Sequence, residues 1–282
     1  MKMQKILIVL FLTVALAACQ EVIDWDLNEG NEHLVVNGEI TTEYKKHYVY
    51  LSLTSDYYGN NPPEKVSGAK VQISDGTQVF PLTEEEPGVY ATDSIAGQTG
   101  KIYELTIEYN GETYTAKDSL PEVTDMQAAY PIQLFDTIPF TDPPEIDSGW
   151  SVVMLAQEPP GKGNHYMWRY YVNGKLESDT LREWLFANDD FVDGNSPQSG
   201  WLLYTQPQKI RKNVIHKGDT FKLCMYSITK QYYDHLLSVL FQTDFRGGFF
   251  DGPPSNASTN LTNGAVGFFH ASDVSCFETP VY

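Results

Sequence analysis

Tyr103-Glu104-Leu105-Thr106-Ile107-Glu108-Tyr109-Asn110-Gly111-Glu112-Thr113-Tyr114-Thr115-Ala116 carries the clearest structural statement in the chain. Tyr103, Leu105, Ile107 and Tyr109 alternate with Glu104, Thr106 and Glu108, a period of two that turns one face inward and the other to water. Asn-Gly follows. Both residues tolerate the positive φ of a type I′ turn, so the chain reverses and returns through Glu112 to Ala116 as a hairpin.

The same pattern recurs upstream. Val49, Leu51 and Leu53 alternate with Tyr48, Tyr50, Ser52 and Thr54, and Val71 and Ile73 alternate with Lys70, Gln72 and Ser74. Asp75-Gly76 then predicts a second hairpin turn into a strand over Thr77 to Leu82. From Leu34 to Leu120 this gives roughly six or seven short strands and no helical period. The fold class is therefore mainly β, with an N-terminal sandwich of immunoglobulin or prealbumin type over residues 33–121.

Pro121 breaks the pattern, and the text becomes longer-looped, with Pro139, Pro143 and Pro144 in one loop and Pro159-Pro160-Gly161 in another. Strand signals persist at Trp150 to Gln157, His165 to Val172, Gly200 to Thr205 and Thr220 to Ile228, with a hairpin turn at Asn173-Gly174. One helix is expected from about Lys230 to Thr243, where Tyr233, Leu236, Leu237, Leu240 and Phe241 form a stripe at helical spacing. Thr229 is its N-cap. Residues 122–282 are thus expected to form a second β-domain carrying one helix near 230–243.

The first residues have a different character. Lys2 and Lys5 precede an apolar run from Ile6 to Ala15, which is too short to span a bilayer. Leu16-Ala17-Ala18-Cys19 closes it as a lipobox: residues 1–18 form a signal peptide, and Cys19 receives the lipid. Residues 19–32 hold Glu21, Asp24, Asp26, Glu29 and Glu32 and form an acidic tether.

The chain has 37 acidic against 19 basic residues, a formal charge of -18. Such a balance argues against nucleic acid and against adsorption to anionic headgroups. With Cys19 taken by lipid, Cys224 and Cys276 remain, either as a disulfide or as buried thiols. The six histidines, at 33, 47, 165, 216, 235 and 270, show no metal-ligand spacing, so no metal and no cofactor is expected. Residues 188–195 faintly resemble a calcium loop, but Ser199 stands where the distal bidentate glutamate belongs. Gly-x-Ser-x-Gly and a phosphate loop are absent. The acidic pairs, Asp142 with Glu145 and Asp147, and Asp189 with Asp190, read as solvated loops. Exposed-loop aromatics are the better lead, and Trp201, Phe249 and Phe250 are the candidate contacts for a ligand or partner.

Three stretches point to a family: Leu34-Val35-Val36-Asn37-Gly38-Glu39-Ile40; Pro62-Pro63 followed by Val66-Ser67-Gly68-Ala69-Lys70-Val71-Gln72-Ile73-Ser74-Asp75-Gly76; and Asn260-Leu261-Thr262-Asn263-Gly264-Ala265-Val266-Gly267-Phe268-Phe269. With a lipobox ahead of them, they resemble the Bacteroidota lipoproteins of domain-of-unknown-function family 4249. The resemblance covers essentially the mature chain. It implies an outer-membrane lipoprotein often encoded beside a TonB-dependent receptor, with no established catalytic residues. In that setting the acidic tether resembles a signal for the cell's outer face. Four Asp-Ser/Thr-aliphatic triplets resemble O-glycosylation sites, which makes Ser94, Ser119, Thr137 and Thr180 the candidate acceptors. The expected function is non-enzymatic: a lipoprotein held in the outer membrane by its Cys19 lipid, facing the exterior and assisting such a receptor in ligand capture or uptake. The alternatives are a structural or adhesive envelope module and, third, a glycan or peptide hydrolase.

Overall fold

A computed structural model of the chain describes residues 32–55, 62–138, 145–178, 185–197, 200–207, 215–243 and 256–282. The first seven strands are β1 (Leu34–Thr41), β2 (Tyr48–Leu53), β3 (Lys70–Ser74), β4 (Val79–Glu86), β5 (Val89–Ala91), β6 (Ile102–Tyr109) and β7 (Glu112–Ser119). Then come β8 (Met126–Ile138), β9 (Glu145–Ala156), β10 (His165–Val172), β11 (Lys175–Leu176), β12 (Leu185–Asn188), β13 (Trp201–Pro207) and β14 (Thr220–Ile228). Helix α1 (Lys230–Thr243) and strand β15 (Val266–Pro280) complete the order. Among the described residues the chain is mainly β with one helix, as its alternating pattern predicts.

Seven strands run in the order β1-β2-β5-β4-β3-β6-β7. Strand β4 changes partner midway, pairing with β3 over Val79 to Leu82 and with β5 over Thr83 to Glu86. The alternation in β6 does what its period requires: Tyr103, Leu105 and Ile107 are buried and meet Val36, Ile40, Leu51 and Ile73 in one core. Asn110 and Gly111 have φ of 49° and 79°, and Asn173 and Gly174 have 51° and 79°, as type I′ turns need. Asp75-Gly76 departs from that expectation. Only Gly76 has a positive φ, and β4 starts at Val79 rather than Thr77. The Asp75 carboxylate accepts the N–H groups of Thr77 and Gln78, so a side-chain-closed turn replaces the two-residue one.

Strand β15 joins the two parts of the chain. Its first half, Val266 to Ser272, lies parallel to β1, and its second half, Asp273 to Pro280, lies antiparallel to β14. The sheet therefore runs unbroken from β7 to β10 and β11, with β12 also on β10. Gly267 makes the approach to β1 possible. Its φ is 96°, and a Cβ there would run into the Val36 carbonyl oxygen. Side chains hold the opposite edge of that half-strand. Asn260 Nδ2 donates to the carbonyls of Lys117 (3.1 Å) and Phe269 (2.7 Å), its Oδ1 accepts the Phe269 N–H, and Asp118 accepts the Ala271 N–H at 3.0 Å.

Beyond β15, the sheet of β10 and β14 faces a three-stranded sheet of order β13-β9-β8. Trp150, Val152, Met154, Tyr166, Trp168 and Phe221 belong to the core they share. Helix α1 packs on the other face, where Tyr232 and Leu236 meet Met167, Tyr226, Ile228 and Phe268. Thr229 Oγ1 caps it by accepting the Tyr232 N–H. The buried stripe is rotated by about one residue from the expected one, which leaves Phe241 69% exposed. Among the described residues no helix is long and apolar enough to cross a membrane.

Cys224 and Cys276 sit directly opposite each other in β14 and β15 and are joined by a disulfide. With its ends 52 positions apart in sequence, the crosslink restricts the unfolded chain by about 4 kcal/mol in the chain-entropy account. Cys224→Ser is expected to lower stability by roughly 2–4 kcal/mol in urea titration. Gly267→Ala should cost at least about 2 kcal/mol in the same assay, because it attacks the β1–β15 contact itself.

Candidate functional site

The half of β1 that faces away from its core carries Val35, Asn37 and Glu39, and the register sets Glu39 beside His270 of β15. Arg169, on the helix-facing side of β10, reaches across, and its Nη1 lies 2.9 Å from Glu39 Oε2. His270 Nε2 is 3.6 Å from the same oxygen, and Lys45 Nζ is 3.7 Å from Oε1. Aromatic rings enclose the group. Tyr232 of α1 stacks on His270 at 4.1 Å between centroids and 11° between planes, and the Arg169 guanidinium stands 5.1 Å over the Tyr226 ring. Lys45 also pairs with Glu43 at 2.7 Å, and the near-parallel rings of Tyr48 and Tyr50 stand on β2, the neighbour of β1.

Burial is the largest single effect on Glu39 and opposes its ionisation, but the positive groups around it, Arg169 first among them, together outweigh it, and the carboxyl is held down at about 2. Burial drives His270 down to about 3, so the ring is neutral and its Nδ1 meets Ser272 Oγ at 3.0 Å. Across β15, burial lifts Asp118 to about 6 against the hydrogen bonds of Ala271, Thr229 and Ser119. A fixed ion pair with a neutral imidazole is an electrostatic clasp between β1, β10 and β15. It has no proton to exchange near neutral pH.

Residues 20–277 match the family described as Domain of unknown function (DUF4249). The chain belongs to that family. Residues 3–20 match the prokaryotic membrane lipoprotein lipid attachment site, which makes this DUF4249 member a lipoprotein. No curated protein matches it.

The candidate residues of this DUF4249 chain are scattered. Trp201 is half-buried against the second core and donates its indole N–H to the Ala156 carbonyl at 3.2 Å. Ser94 is exposed in a bend, and Ser119 is exposed at the end of β7. Thr137 pairs with Ile146 through the backbone of β8 and β9, and its side chain lies outside the described residues. Cys19, Thr180, Phe249 and Phe250 also lie outside the described residues, as does Asp142. In the segment that resembles a calcium loop, the Asp189 carboxylate accepts the N–H groups of Gly163 and Asn164, and Asp193 accepts that of Gly161. Among the described residues no group of three or more His, Cys, Asp or Glu could hold a metal ion. Sequence reasoning missed the Glu39–Arg169–His270 clasp, whose first pair is 130 residues apart.

The titration of two of these groups has opposite signs. His270 is neutral in the folded chain and protonated in the unfolded chain from about pH 3 to its ordinary 6.5, so its contribution to stability grows as pH rises through that window. Asp118 is protonated in the folded chain and ionised in the unfolded chain from its ordinary 3.8 to about 6, so its contribution shrinks as pH rises. Between pH 4 and 6, Asp118→Asn should make the slope of stability against pH more positive by roughly 1 kcal/mol per unit. His270→Gln should make it more negative by a similar amount. Urea titrations across that range check both, and parallel curves for all three proteins would remove the assignment.

Proposed function

We propose that this lipoprotein is non-enzymatic, sits on the outer face of the outer membrane, and assists a TonB-dependent receptor in capturing or taking up a ligand. The observation that carries the reading is a lipid attachment site at residues 3–20 running directly into a family domain over residues 20–277. Several acyl chains on one cysteine hold a protein to a membrane without any spanning element. The charge of -18 disfavours nucleic acid and anionic headgroups as partners for the folded body.

The chemistry of the buried groups supports binding over catalysis. Glu39 and Arg169 neutralise each other, and Asp189 is committed to backbone amides. One ring nitrogen of each of His47, His165 and His235 meets a main-chain carbonyl. Tyr50, exposed on β2 opposite Asn37 of β1, offers amphipathic contact area of the kind interfaces use.

The test is a pull-down of the affinity-tagged, lipidated protein from native outer membranes, read by mass spectrometry. Stoichiometric recovery of a TonB-dependent barrel is the expected result, and Cys19→Ser should release the protein from the membrane fraction. Recovery of the protein alone, or with assorted envelope proteins, would overturn the receptor partnership and favour an adhesive role.

A further inference from the structure

The sequence holds four Asn-Gly pairs: Asn37-Gly38, Asn110-Gly111, Asn173-Gly174 and Asn263-Gly264. Asparagine before glycine is chemically labile, because no side chain shields the glycine nitrogen from the neighbouring amide carbon. The fold treats the four pairs differently. Asn37 lies inside β1, with Tyr50 of β2 on one side and Phe268 of β15 on the other, so its main chain is fixed in the extended form. The Gly38 nitrogen cannot swing onto the Asn37 side chain without breaking both pairings. Asn173 sits in a turn, but both ends of its amide are held. Its Nδ2 donates to Asp219 Oδ1 at 2.8 Å, and its Oδ1 accepts the Thr220 N–H at 2.9 Å. Asn263 Nδ2 donates to the Thr113 carbonyl.

Asn110 has none of these restraints. It is exposed in the two-residue turn between β6 and β7, with φ of 49°, and its amide meets no hydrogen-bond partner among the described residues. Gly111 is exposed as well, and beyond its chain neighbours nothing lies within 4 Å of where a Cβ would stand. Amide and nucleophile are therefore both free, adjacent and open to water at one position of the four.

We propose that Asn110 is a modification site, at which the folded chain converts by itself, with water as the only co-reactant, to aspartate and isoaspartate. The Gly111 main-chain nitrogen gives up its proton to water and bonds to Asn110 Cγ. The Cγ–Nδ2 bond breaks, the departing nitrogen takes up a proton, and ammonia leaves a five-membered succinimide. Water then adds to one of the two ring carbonyls. Opening at the side-chain carbonyl gives aspartate, and opening at the main-chain carbonyl gives isoaspartate. Nothing is oxidised or reduced. Either product places a new carboxylate between Glu108 and Glu112, both exposed. The isoaspartyl form also lengthens the main chain inside a turn whose flanking residues, Tyr109 and Glu112, are paired directly, so it disturbs the tip of the hairpin.

The experiment keeps the purified, full lipidated chain at mildly alkaline pH and samples it over time, folded and, in parallel, in denaturing urea. Peptide mapping by mass spectrometry reads conversion of amide to acid at each of the four asparagines. Labelling by an isoaspartyl methyltransferase reads isoaspartate, and thermal melting shows that the native samples stay folded. In the folded chain Asn110 should convert at least ~5-fold faster than Asn37, Asn173 or Asn263, because a held amide or strand must first release its hydrogen bonds. In urea the four should convert at similar rates, and Asn110→Gln should remove most of the isoaspartate formed by the folded chain. An intact Asn110 in the folded chain, equal rates at the four folded sites, or conversion of Asn173 or Asn263 ahead of Asn110 would each overturn the proposal. So would the same ranking of sites in urea as in the folded chain, or an isoaspartate signal undiminished by Asn110→Gln.

Discussion

The parallel pairing of β1 with the first half of β15 is the contact on which the rest depends. Strand β15 gives its first seven pairs to β1 and its next eight to β14, so one strand carries the sheet from the first core to the second. Phe269 and Ala271 belong to the first core, while Phe277 packs against the second. Because the same backbone carries both registers, a slip at one end moves the facing side chains at the other. The Glu39–Arg169–His270 clasp stands beside this crossing point, where an ion pair with fixed geometry favours one register over its neighbours. Replacing such a buried pair by apolar groups is often neutral for stability, so specificity of pairing is its better explanation.

The acidic excess takes on a structural meaning beside that frame. Asp75, Asp118, Asp189 and Asp273 each accept at least one backbone N–H, in turns or at strand edges where no carbonyl is in position. Glu84 does the same for Gly68 and Gly88. A chain with many short strands has many unpaired edge amides, and leaving them buried without a partner is costly. Carboxylates supply the missing acceptors. Part of the charge that reads as solubility in the sequence is therefore main-chain capping in the fold.

The legible parts of the chain are those whose signal is local. The bounds of β10, β14 and α1 coincide with those expected from alternation, helical period and the Thr229 cap, and the Asn-Gly turns have the φ values they need. Strand β15 gave no comparable signal. Val266-Gly267-Phe268-Phe269 does not alternate, because one face meets the first core and the other lies under α1. Its partner β1 lies more than two hundred residues earlier, and no local pattern encodes a parallel register over that distance. The clasp was hidden for the same reason, since Glu39, Arg169 and His270 look ordinary until topology brings them together. At Asp75-Gly76 the expected hairpin joins β3 to β4, but with a different turn, because Lys101 and two amides give the carboxylate a better one than the dipeptide alone predicts.

A chain is synthesised from its amino end, and the first core here borrows Phe269 and Ala271 from near the other end. Until those residues appear, β1 has a bare edge and the nascent N-terminal sandwich lacks a wall. Contacts of such long range form late. While the chain is still emerging, β1 therefore has no β15 to pair with, and the first core is without Phe269 and Ala271 until residues 266–272 have been made.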